Sequence, residues 1–87
     1  MDESKNQNFK ELLDKEYSWP AFYSFKFIVP FKDVSKVRSL FPPETTNEKP
    51  SKHGNYVSVN ANIEMKNAEE VMDIYSKASE IDGVIAL

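Results

Sequence analysis

The stretch from Asn55 to Met65, NYVSVNANIEM, alternates apolar and polar residues without a break, and this pattern restricts the fold more than any other feature of the chain. A period of two belongs to a β-strand, so Val57, Val59, Ala61 and Ile63 face one way and Tyr56, Ser58, Asn60, Asn62 and Glu64 the other. A strand with one apolar face needs strand neighbours and a cover for that face. The segment AFYSFKFIV, Ala21 to Val29, is a second strand, rich in aromatic and β-branched residues. Its Tyr23, Phe25, Phe27 and Val29 form the core side, and Phe22, Ser24, Lys26 and Ile28 the opposite side.

The segments around these strands are helical or turn-like. Residues 1–7 are polar and are expected to form a disordered tail. NFKELLDKEY is predicted as a short helix with Asn8 and Glu11 at capping-box positions, and Phe9, Leu12, Leu13 and Tyr17 on one face. Pro20 ends it. FKDVSKVRSLF places Val34, Val37, Leu40 and Phe41 at helical spacing, and Pro42 and Pro43 stop it. ETTNEKPSK is polar and proline-interrupted, so a strand there belongs at a sheet edge, blunted by Lys49 and Pro50. Asn67 and Glu70 make a second capping box for a helix with the stripe Val71, Ile74, Tyr75, Ala78 and Ile81, which stops at Gly83. VIAL supplies a last short strand. The order β-α-β-β-α-β, preceded by a short helix, predicts an α+β ferredoxin-like fold. Its four-stranded antiparallel sheet would carry two helices on one face, in a single domain over residues 8–87.

Composition narrows the chemistry. Eighty-seven residues make one domain. A chain of this length buries only roughly 60–65% of its unfolded surface. With no cysteine there is no disulfide, thiolate metal site or thiol nucleophile, and a single histidine opposes multi-histidine metal sites and a Ser/His/Asp triad. No cofactor or metal is expected. Neither a signal peptide nor a run of about 18 apolar residues occurs, which predicts a cytoplasmic protein with no membrane partner. The net charge of −3 is unevenly spread: residues 26–53 hold six bases and three acids, and residues 54–87 two bases and six acids.

The run PSKHGNYVSV, the aromatic strand in YSWPAFYSFKFIV and the helix AEEVMDIYSKASEIDGV together resemble the YbeD-like family of small bacterial proteins, over roughly residues 17–87. The resemblance implies a ferredoxin-like fold similar to the ACT regulatory domains that bind amino acids, and no catalytic residues. ACT domains commonly carry a glycine between the first strand and first helix, where this chain has VPFKD with Pro30. ACT-type amino-acid binding is thereby opposed.

Gly54 is expected to supply the positive φ of a hairpin turn, with Asn55 as a further turn former. His53 has no orienting partner nearby in the chain and is not expected to be catalytic. Glu64, Glu69, Glu70 and Asp73 fit a solvated helix start better than a cation site. Trp19 is expected as a partly buried anchor between the first helix and the sheet. The contact surface is expected on the sheet face carrying Phe22, Lys26, Ile28, Tyr56, Ser58, Asn60 and Asn62. Either the N-terminal helix covers Phe22 and Ile28 or a partner does, and the chain is accordingly a monomer or a weak homodimer. The function expected is that of a non-enzymatic regulatory or adaptor module for a protein partner or small metabolite. The alternative is weak RNA binding, since RNA-recognition motifs share this element order and Tyr56 falls at a stacking position; Gly54 in place of the other aromatic, and the net acidity, oppose it.

Overall fold

The computed structural model of the chain describes residues 3–87. The elements follow in the order α1 (Glu3–Glu16), β1 (Ala21–Pro30), a 3-10 turn (Phe31–Asp33), α2 (Val34–Arg38), β2 (Thr46–Pro50), β3 (Tyr56–Met65), α3 (Ala68–Ala78) and β4 (Ile85–Ala86). The strands form one antiparallel sheet in the order β2-β3-β1-β4, a ferredoxin-like arrangement. β1 and β3, the two strands with the clearest alternation, pair along their full length from Ala21↔Met65 to Pro30↔Tyr56. β2 lies at the edge, where Pro50 withholds a donor at little cost.

The alternation fixes which residues reach the interior. Phe25, Phe27 and Val29 on β1 and Val57, Val59, Ala61, Ile63 and Met65 on β3 are buried. Leu13, Val37, Phe41, Val71 and Ala78 from the helical segments close over them. Tyr75 of α3 is the centre of an aromatic cluster, with ring centroids 5.4–6.2 Å from Phe9, Tyr23, Phe25 and Phe27. Its hydroxyl lies 3.0 Å from that of Tyr23, which gives both half-buried groups a partner. Burial and the Tyr23 hydroxyl push the Tyr75 phenol well above its ordinary value.

Four expectations are corrected. Helix α1 begins at Glu3, so residues 3–7 are helical; Met1 and Asp2 lie outside the described residues. No strong helix breaker stands between Glu3 and Asn8, and a longer helix offsets nucleation better than a short one. Glu11 does not cap the helix at Asn8 but accepts a hydrogen bond from Gln7 Nε2 at 3.5 Å. Within the predicted apolar face of α1, Leu12 points outward and is 54% exposed. The helix after β1 is also shorter than the periodicity predicts. After Arg38 the bonds from Leu40 N–H to Val37 and from Phe41 N–H to Arg38 tighten into a 3-10 turn before Pro42.

The α3 start is built largely as the sequence predicts. Asn67 Oδ1 accepts the Glu70 N–H at 2.9 Å, while Glu70 Oε1 reaches the N–H of Lys66, at 2.7 Å, rather than that of Asn67.

Candidate functional site

Helix α1 lies on the same side of the sheet as α3. Leu13 is buried in the core, Phe9 meets Tyr75 edge to face, and Lys10 Nζ reaches Glu69 at 3.4 Å. Trp19 stacks on Tyr17 and donates from Nε1 to Asp14 at 2.9 Å, the half-buried anchor expected between helix and sheet. The Trp19 indole, then Lys10, holds the Asp14 carboxyl below the usual carboxylate range, and Asp14 and Glu69 together raise the Lys10 ammonium. The arrangement in which the N-terminal helix covers Phe22 and Ile28 is therefore overturned. With all helices on one face, the other face of the sheet has no cover within the described residues, and Phe22 is 64% exposed.

All seven residues expected at a contact surface lie on that open face. Cross-strand pairs Ser24↔Asn62, Lys26↔Asn60 and Ile28↔Ser58 form successive rungs, with Phe22↔Glu64 at one end and Pro30↔Tyr56 at the other. Ser24 Oγ and Asn62 Oδ1 are 3.4 Å apart, as are Asn60 Nδ2 and Ser58 Oγ. These are long contacts, so the amides and hydroxyls keep capacity for a partner. Three extensions of the surface do not follow from the periodicity. Ile85 sits opposite Ile28, Leu87 N–H donates to the Lys26 carbonyl at 2.9 Å, and Asn47 and Lys49 of β2 pair with Asn60 and Ser58. VIAL was too short to set a register, and β2 lacks alternation because it is a polar edge.

At the Phe22 end the face continues into an open groove of about 580 Å³ lined by Phe22, Leu40, Pro42, Met65 and Ile74 among others. Of the acidic residues around it, Glu64 is exposed and makes no ion pair among the described residues, and the others are occupied. Glu69 pairs with Lys10, Asp73 with Lys77 at 3.0 Å, and Glu70 caps the start of α3. Among the described residues no group of three or more His, Asp or Glu side chains could hold a metal ion.

At the Tyr56 end, Gly54 adopts φ +75° within a loop over residues 51–55, longer than a two-residue turn. Its N–H bonds the Ser51 carbonyl at 3.0 Å, and Ser51 N–H bonds the Tyr56 carbonyl at 2.8 Å. The Asn55 carbonyl accepts the Phe31 N–H at 2.9 Å, so the loop is tied to the turn after β1. His53 is exposed on this loop. On the helix side, Arg38 of α2 grips Glu48 of β2 with Nε–Oε2 at 2.6 Å and Nη2–Oε1 at 2.8 Å. The guanidinium holds the Glu48 carboxyl below its usual range and is itself raised.

Among the described residues, no helix is long and apolar enough to cross a membrane. A family model described as "Protein of unknown function (DUF493)" matches residues 14–87. Neither the curated proteins nor the solved structures contain a match.

Proposed function

The chain belongs to the DUF493 family, whose function is unknown, and from that premise we propose that it is a non-catalytic adaptor or regulatory module of the cytoplasm. It presents the open sheet face to a protein partner. The observation that carries this reading is the uncovered face itself: an exposed aromatic at each end, Phe22 and Tyr56, with a row of neutral amides and hydroxyls between. Aromatic anchors surrounded by hydrogen-bonding groups are the composition of a recognition surface. Asn and Ser side chains position a contact rather than move a proton, which supports binding over catalysis.

The resemblance to YbeD-like proteins implies, through their similarity to ACT domains, a regulatory role. A protein partner is favoured over an amino acid, because Pro30 has no N–H and the N–H of Phe31 is used by Asn55. The backbone where β1 passes into the turn thus has no donor at those two positions for a small ligand.

The test is affinity capture from the source cells with the wild-type protein and with the double variant Phe22→Ala, Asn62→Ala, after both are shown to melt at the same temperature. A protein captured by the wild type and lost with the variant supports the reading. Identical captured sets would overturn it, as would no captured protein together with a thermal shift on adding amino acids. Salt-sensitive oligonucleotide binding lost in the same variant would favour nucleic-acid binding by the face instead.

A further inference from the structure

Charges that only drift along the chain become separated in space. Because β1 and β3 are antiparallel, the sheet end that holds Pro30 also holds Tyr56. The turn after β1 and the 51–55 loop meet there and are joined by the bond from Phe31 N–H to the Asn55 carbonyl. Ser51 Oγ accepts the Tyr56 N–H at 3.2 Å and, with the loop's backbone bonds, braces the corner. Side chains mounted on it need little ordering when a ligand arrives.

This corner carries Lys32, Lys49, Lys52 and His53 beside the exposed rings of Phe31 and Tyr56. Among the described residues none of these three lysines is in an ion pair, whereas the neighbouring bases are matched: Lys36 holds Asp33 at 3.2 Å, and Arg38 holds Glu48. Glu69, Glu70 and Asp73 belong to the opposite end of the sheet, where β3 finishes and α3 begins. Asp82 stands next to Gly83, which abuts Pro30, and so lies on the β4 side of the corner, whereas Lys49 and Lys52 stand on the β2–β3 side.

We infer that this corner docks an acidic, extended segment of a protein partner, with Phe31 and Tyr56 as apolar anchors and Lys32, Lys49 and Lys52 as charge contacts. The inference rests on the reading of the chain as a binding module and adds the chemistry of one partner element. Unmatched lysines draw carboxylates toward the corner and speed their encounter, and exposed rings supply the desolvated contact that holds them. A nucleic acid fits less well. The chain's single arginine is bound to Glu48, and a longer phosphate chain meets a protein of net charge −3.

The probe is a short fluorescein-labelled peptide rich in aspartate with one leucine, titrated by anisotropy at low and high salt beside a labelled oligothymidine. Saturable, salt-weakened peptide binding is expected, with amide shifts in the wild-type protein confined to residues 31–32 and 49–56. The double variant Lys32→Glu, Lys52→Glu is expected to lose about tenfold or more in affinity. Absence of saturable binding at low salt, binding unchanged by the charge reversal, shifts located elsewhere, or tighter binding of the oligothymidine would each overturn the inference. The shift map needs no variant, so the decision stands even where a substituted protein unfolds. If the peptide fails while capture through Phe22 and Asn62 succeeds, the inference falls and the binding-module reading stands.

Discussion

Gly54 and Gly83 show how two identical residues with nearly the same backbone angle do different jobs. Both adopt the left-handed region, at φ +75° and +77°. At Gly54 a side chain would point into open space, so only the backbone preference for glycine is at stake. At Gly83 a Cβ would lie 2.9 Å from Pro30 Cγ and 3.2 Å from Cδ, against a rigid ring at the end of β1. Gly54→Ala is expected to cost about 1–2 kcal/mol for the left-handed backbone alone. Gly83→Ala is expected to cost clearly more, because Pro30 cannot rotate away. Urea denaturation of both variants checks this, and equal losses would refute the close approach as a cause. The sequence marks Gly54 as a turn former and Gly83 as a helix stop, but the close approach at Gly83 shows only in the contact with Pro30, 53 positions away in the chain.

Elements interact through docking and through ion pairs that bridge them. The periodicity of α1 announces an apolar stripe without saying what it covers, and the structure places it beside α3. Leu13, 4% exposed, is its main insertion into the core. Leu13→Ala is therefore expected to lose about 2–4 kcal/mol, a large part of the roughly 5 kcal/mol available to so small a domain. Thermal unfolding measures it. Deleting residues 1–16 should likewise lower the melting temperature by uncovering Tyr75, and it leaves Phe22 as exposed as before. A truncated protein as stable as the full chain would contradict this placement of the helix.

A second bridge, between Arg38 and Glu48, makes an acid-dependent contribution. The Glu48 carboxyl titrates lower in the folded chain than in the unfolded one, so its contribution is present above the ordinary carboxylate pKa of about 4.3 and is lost as the pH falls through the folded value. Glu48→Gln should melt slightly below the wild type at neutral pH, by the small amount usual for an exposed ion pair, and the gap should close on acidification below about pH 4. A gap that persists or widens in acid would remove the ion pair as its cause. The pairing itself was not legible, because it needs β2 at the sheet edge and α2 above it.

For the whole molecule, one sheet supports two faces with different tasks. Phe25, 1% exposed, and Phe22, 64% exposed, stand on the same strand and point to opposite sides. Phe25→Ala is expected to lose about 3–5 kcal/mol and to leave the domain largely unfolded. Phe22→Ser and Tyr56→Ser are expected to stay within about 0.5 kcal/mol of the wild type in chemical denaturation, since neither ring supports the core. A large loss in either would make the open face part of the fold rather than a free surface.

The two faces of β1 and β3, the start of α3, the edge position of β2 and the order of elements were all legible in the residues. They follow from periodicity, capping and proline chemistry, which act between residues close in the chain. The side on which α1 packs, the meeting of Phe31 with Asn55 and Tyr56, and the gathering of unmatched lysines at one corner were not. Each depends on contacts between distant segments, and which surface an apolar stripe covers is settled by comparing all the burial on offer. Phe9, Leu13 and Tyr17 find that burial beside Tyr75 and Tyr23 on the helix side, and so the opposite face stays open.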